Sequence, residues 1–135
     1  MLYTIQMGNV PAYQDGQANI LHLVSSAETV SQANLPFVFC DGHAVVSLSL
    51  FYNNLNALTE VDWKVIKSWS WRDTISDNDR RRRKQAEFLV KQHCPWQLIQ
   101  EIGVINSAVR DQVAALLENT QHKPIVSVRR QWYYD

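Results

Sequence analysis

The apolar positions of this chain fall into short runs, and their spacing moves between strand-like alternation and helix-like repetition. Residues 2–7 are apolar and Tyr-containing with no helix cap, so they read as an extended edge segment that ends at the Gly8-Asn9 turn signal. Residues 19–24 (NILHLV) form a short strand candidate. A helix then follows over 25–34, opened by a Ser25-x-x-Glu28 capping box and stopped at Asn34-Leu35-Pro36. Residues 36–40 (PFVFC) read as a buried strand closed by Asp41-Gly42. The stretch 43–54 fits both periods: Val46, Leu48 and Leu50 alternate with serines, while Ala44, Leu48 and Phe51 suit a helix.

From 58 onward the signals strengthen. Leu58, Val61, Val65, Ile66 and Trp69 mark one helical face, and Thr59-x-x-Asp62 resembles its capping box. A polar stretch carrying Ser76-Asp77-Asn78-Asp79 leads into a cationic run and then a short strand at 86–90 (AEFLV). A further strand is predicted around 102–105. The best-defined helix begins at Asn106 or Ser107, with Val109, Val113, Leu116 and Leu117 as its buried stripe. The closing segment PIVSVRRQWYYD reads as a strand. These elements, with no repeat or linker between them, predict one α+β domain over residues 1–135.

Composition narrows the function classes. The 135 residues are 46% hydrophobic and formally neutral, as in an ordinary globular domain. Five of the 13 Lys and Arg residues lie at 80–84, leaving the rest of the chain net negative by five. Such a run binds a polyanion locally or serves as a solvated face. No apolar run is long enough to span a bilayer, so no membrane partner is expected. Cys40 and Cys94 stand outside any Cys-x-x-Cys pair and read as buried, reduced thiols of a cytoplasmic protein. The four histidines include no i,i+4 pair, so no metal site is expected. The four glycines are scattered, which excludes a phosphate-binding glycine loop.

Candidate chemistry centres on "RRRRKQAEFLV". If the end of this stretch is a strand, Gln85 and Glu87 share a face. An amide beside a carboxylate can hold a sugar hydroxyl and stabilise positive charge developing on a neighbouring carbon, as cleavage of an N-glycosidic bond requires. If it is helical, Arg83 and Glu87 are instead an i,i+4 ion pair. Arg80, Arg81, Arg82 and Arg83 are candidates for phosphate contacts. Trp69 and Trp71 could stack a base, although Trp69 also falls on the predicted core stripe. His43 follows the Asp41-Gly42 turn and is a candidate for a cleft, whereas His22 lies within an apolar strand and reads as a satisfied core or edge residue.

Six segments taken in order, "MLYTIQMGNVPAY", "HLVSS", "FVFCDGHA", "VDWKVIKSW", "RRRRKQAEFLV" and the "WYY" end, resemble the DarT family of NAD-dependent DNA ADP-ribosyltransferase toxins. The resemblance covers essentially the whole chain, which matches the C-terminal two-thirds of the family's domain. It implies a split, strongly curved β-sheet core with flanking helices, and Glu87 as the catalytic glutamate. It implies that a loop over about 43–84 presents the nucleic-acid substrate. NAD would be the co-substrate, a thymine or guanine of single-stranded DNA the acceptor, and a macrodomain antitoxin the partner. The family's first strand, which clasps NAD, and its catalytic arginine match no residue here and are expected ahead of Met1. DNA-binding roles for Arg80–Arg83, Trp71 and His43, and a supporting role for Gln85, rest on charge, spacing and loop position. The alternatives are a catalytically inactive single-stranded nucleic-acid-binding module and a non-enzymatic interaction domain.

Overall fold

The computed structural model describes residues 2–135. In chain order its elements are α1 (Leu2–Gln6), β1 (His22–Val24), α2 (Ala27–Gln32), β2 (Phe37–Cys40), β3 (Phe51–Tyr52), α3 (Trp63–Lys67), α4 (Arg80–Arg83), β4 (Phe88–Val90), β5 (Glu101–Val104), α5 (Ser107–Leu117) and β6 (Ile125–Val128). Short 3-10 turns cover Leu55–Glu60, Trp96–Leu98 and Arg130–Trp132. These elements form two compact units, one built from residues up to Ser25 with Pro95–Asp135, the other from Ser26–Cys94.

The first unit is a three-stranded sheet ordered β1-β5-β6. β1 runs antiparallel to β5, with His22 opposite Gly103, and β5 runs parallel to β6, with Glu101 opposite Ile125. A parallel neighbour needs a crossover, and α5 supplies it. Asn106 caps α5 by accepting the Val109 N–H. Ile99, Ile102, Val104 and Val113 form the core, with Trp96, Val109, Leu117 and Val126 packed against it. Leu116 was expected on the same stripe but is 79% exposed. Val109, Val113 and Leu117 pack on the core, while Leu116, about 100° round the helix from Leu117, turns to solvent.

The chain end closes over this sheet. Trp132 lies on Gly103 so closely that a Cβ there would stand 2.3 Å from the indole. The Tyr133 hydroxyl donates to the Ile20 and Gly103 carbonyls, and the buried Gln17 amide is bonded to the Tyr134 backbone at both ends. The last residues are therefore a 3-10 turn and a clasp, beyond the strand predicted there. His22 packs edge-on against Trp132 and Tyr133, and its Nε2 is buried with no hydrogen-bond partner among the described residues, contrary to the expected satisfied residue. Burial pushes the His22 pKa down.

Residues 2–7 were expected to extend, yet Leu2–Gln6 form α1. The helix is terminated by a Schellman motif: the Gly8 N–H donates to Ile5, the Asn9 N–H donates to Thr4, and Gly8 takes φ +68°. The Gly8-Asn9 signal is thus a helix cap and not a bend between strands.

The second unit is an antiparallel sheet ordered β3-β2-β4. Phe39 faces Phe88 and Phe37 faces Val90, and Phe37, Phe39, Phe88 and Tyr52 stack in a row of aromatic rings. Phe39 and Cys40 are buried with Val30, Val61 and Val65. Cys94, expected to be buried, is exposed. Ser26, one position later than the predicted cap, opens α2 by accepting the Thr29 N–H. The predicted helix at 58–69 breaks into a 3-10 turn and α3, because Asp62 and not Thr59 caps the α-helical part. α3 stops at Lys67, so Trp69 leaves the core stripe and is 96% exposed.

Candidate active site

β2 and β4 pair so that Phe39 stands opposite Phe88, and the pairing runs one residue further, with the Cys40 N–H donating to the Glu87 carbonyl at 3.0 Å. The residue before β4 is thereby held beside the turn that follows β2. That turn is Asp41-Gly42-His43. The register of one antiparallel pair thus brings His43 to Glu87 across 44 residues of sequence, with Nδ1 3.2 Å from Oε1. Both side chains are partly open to solvent, 36% for His43 and 39% for Glu87. Among the described residues, Glu87 Oε2 takes no hydrogen bond.

Glu87 precedes β4, and Gln85 lies in the turn after α4. The two therefore do not share a strand face, as the extended reading required. Gln85 instead donates from Nε2 to the Arg81 carbonyl at 2.9 Å, closing the end of α4. Arg83 does not pair with Glu87 either, because three aspartates engage it first: Asp62, Asp77 and, at 3.5 Å, Asp79.

The arginine run is divided by helix geometry. Arg80 reaches Asp77, the Ser70 carbonyl and Ser68 Oγ. Arg82 grips Asp79 with Nε and Nη2, each at 2.7 Å, and extends Nη1 to Asp41 at 3.0 Å. These carboxylates push the Arg82 and Arg83 pKa values further up. Reciprocally, Arg83 holds the Asp77 carboxyl below its ordinary range, and Arg82 does the same for Asp79. Arg81 alone of the four is exposed, and its guanidinium has no carboxylate partner among the described residues. Arg72 is likewise exposed and unpaired.

Lys84 points the other way and donates to the carbonyls of Val65, Ile66 and Ser68, satisfying the end of α3. Its ammonium also sits 5.0 Å from the centre of the Trp71 ring. Trp71 is half exposed, and Ile75 is fully exposed at the tip of a tight turn between Thr74 and Asp77. Trp69, Trp71, Ile75, Arg72 and Arg81 are thus each exposed on the segment leading to Glu87, two aromatic rings and an aliphatic chain beside two cations with no carboxylate partner among the described residues. The aspartates that brace it were not singled out in the sequence. Their signal was the i,i+3 and i,i+4 spacing of Asp77 and Asp79 to Arg80, Arg82 and Arg83.

A carboxylate with one oxygen on an imidazole and the other open can accept a hydroxyl hydrogen bond and take up a proton. Among the described residues no cluster of His, Cys, Asp and Glu could hold a metal ion, and no helix is long and apolar enough to cross a membrane.

The family model described as "ssDNA thymidine ADP-ribosyltransferase, DarT" matches residues 1–134. The chain is 45% identical to a DNA ADP-ribosyl transferase of Thermus aquaticus, over 99% of this chain and 58% of that protein. The structure of Thermus sp. 2.9 DarT in complex with NAD+ matches with a TM-score of 0.90 at 43% identity, over 98% of this chain and 66% of that one. The same enzyme in complex with ADP-ribosylated ssDNA also matches at 0.90, with 63% of that chain covered. The chain thus spans about three-fifths of the length of the curated relatives it matches. Its mixed helices and sheets are the α+β ADP-ribosyltransferase-type fold of those structures. With matching sequence over nearly every residue and a matching fold, the chain belongs to the DarT family.

Proposed function

We propose that the protein transfers ADP-ribose from NAD to a base, thymine or guanine, of single-stranded DNA, with Glu87 as the catalytic carboxylate. The observation that carries this reading is the His43–Glu87 pair. It stands at the end of a segment that exposes aromatic rings and free arginines. The relatives solved with NAD+ and with ADP-ribosylated ssDNA support the choice of substrates.

Glu87 Oε2 is the acceptor available to a ribose hydroxyl, and a carboxylate there stabilises positive charge developing at the anomeric carbon. The bond from that carbon to the nicotinamide nitrogen breaks, and the nitrogen keeps the electron pair. A lone pair on the base nitrogen forms the new bond to the same carbon. The proton that this nitrogen releases passes to the Glu87 carboxylate, which His43 holds in place. Gln85 supports this segment through its bond to Arg81 and lies outside the reacting groups.

For DNA, the division of the arginine run supports different roles for its members. Arg81 and Arg72 are free to meet phosphates, while Trp71 offers its exposed ring to a base. Arg80, Arg82 and Arg83 act on DNA indirectly, by ordering the segment. The 43–84 region then presents the substrate strand. Family membership further supports a role as the toxin of a toxin–antitoxin pair acting on cytoplasmic DNA, with a macrodomain antitoxin as partner.

The test is to incubate the protein with NAD and mixed single-stranded oligonucleotides and to follow the DNA by mass spectrometry. An ADP-ribose adduct is expected from the wild type, absent with Glu87→Ala and removed by a macrodomain hydrolase. Equal adduct from both proteins would remove Glu87 from catalysis. Salt-dependent DNA binding without NAD consumption would leave a binding module, and neither activity would leave an interaction domain.

A further inference from the structure

Arg82 has no free face for a ligand. Arg82 is 13% exposed, and its guanidinium is taken up by Asp79, Asp41 and Ser49 Oγ, the last at 3.2 Å. Two of these partners, Asp41 and Ser49, reach toward His43. Asp41 accepts the Leu50 N–H at 2.9 Å, which closes the loop that carries His43. Ser49 Oγ donates to the His43 carbonyl at 2.8 Å. The Arg82 carbonyl accepts the His43 N–H at 2.9 Å. His43 is thus fixed on one side of its residue by the Arg82 backbone carbonyl and on the other by Ser49, which the Arg82 guanidinium holds. The Arg82 side chain also passes so close to Gly42 that only a residue without Cβ fits there.

We propose that Arg82 is the positioning residue of the site: it fixes the Asp41-Gly42-His43 turn to α4 and so sets the His43 imidazole on the Glu87 carboxylate. It does not contact nucleic acid. This inference rests on the proposed role of Glu87 for its catalytic consequence, but its structural half stands without it. A lysine cannot replace the planar fork that grips Asp79 with two nitrogens while a third reaches Asp41.

The experiment has two arms. In the first, the side-chain resonances of the four histidines are observed by NMR, with His43→Gln to assign and Glu87→Gln to show where the His43 signals move when the pair is lost. Arg82→Gln and Arg82→Lys are expected to move the His43 signals toward that same position and to leave those of His22, His93 and His122 in place. His43 signals unmoved in a folded Arg82→Gln protein would overturn the proposal. If Arg82→Gln does not fold, Asp41→Asn and Ser49→Ala remove its contacts singly, with the same expectation and the same refuting result. In the second arm, steady-state transfer is measured. Arg82→Lys is expected to lower kcat tenfold or more with the KM for single-stranded DNA within twofold, whereas Arg81→Ala raises that KM and leaves kcat near wild type. A rise in KM for Arg82→Lys equal to that for Arg81→Ala would make Arg82 a DNA contact and overturn the proposal. Absence of transfer in the wild type would count against the function proposed for Glu87, while the NMR arm would still decide the role of Arg82.

Discussion

Replacing Gly42 by alanine would place a methyl group 2.3 Å from Arg82 Nη1 and 2.9 Å from Cγ and Cζ. The backbone at Gly42 does not lie in the left-handed region, so the effect is steric alone. Ordinary contact requires the arginine to retreat by about 1 Å along part of its length. Its far end cannot swing freely, because Asp79 grips it at 2.7 Å from two nitrogens. The bond that gives way is the one to Asp41, at 3.0 Å, between side chains that are 13% and 18% exposed. Loss of a charge-assisted hydrogen bond in such a setting costs about 1.5–3 kcal/mol, and local overpacking is of the same order. A net destabilisation of about 2 kcal/mol is expected, read by urea denaturation of wild type and Gly42→Ala. The cause is checked with Asp41→Asn: in that background Gly42→Ala should cost less than half as much, since the bond it breaks is already gone. A penalty under about 0.5 kcal/mol, or one unchanged by Asp41→Asn, would refute the reasoning.

Three further outcomes follow from other contacts. Gly103→Ala should destabilise by about 2–3 kcal/mol in thermal denaturation, because the indole that would stand 2.3 Å from the new methyl is rigid and clasped by its neighbours; near-neutral behaviour would mean that the chain end does not pack as described. Asp77 and Asp79 have carboxyl pKa values depressed below the ordinary 3.8 by Arg83 and Arg82. The stability they contribute is therefore complete above about pH 4 and is lost as pH falls through their folded values, so urea midpoints should drop on acidification, and by less in Asp77→Asn. Trp71→Ala and Trp69→Ala should each weaken single-stranded DNA binding by about 1–3 kcal/mol in fluorescence anisotropy, the usual worth of one stacked base, and unchanged affinity would remove that ring from the interface.

What the sequence revealed and what it hid divide along physical lines. β2, α2 and α5 were legible because each is bounded by local chemistry: Asp41-Gly42 after Cys40, a serine cap before Ala27, and Asn106 before Ser107. α1 was misread because its residues satisfy an extended pattern equally well, and the decisive feature is a local cap at Gly8, a residue type that signals a turn and a helix end alike. Trp69 was placed in the core by a helical period that assumes α3 continues, but α3 ends two residues before it. Glu87 was marked by its place beside the cationic run and by the family resemblance. His43 was marked as a loop candidate, but its pairing with Glu87 was not, since that contact depends on a strand register linking residues 44 apart. The arginines were read as one unit because they are adjacent, yet a helix turns neighbours to different faces. Of the four, Arg81 alone faces solvent with no carboxylate partner among the described residues.

The account turns on Glu87, and the most direct measurement compares wild type with Glu87→Gln. That change keeps the shape of the side chain and removes its charge and its capacity to accept a proton. The initial rate of ADP-ribose transfer to a single-stranded oligonucleotide should fall by about 10²–10⁴-fold, the usual contribution of a positioned general base, while the Kd for the unmodified oligonucleotide stays within twofold. A Glu87→Gln protein that transfers within tenfold of the wild-type rate would contradict the account.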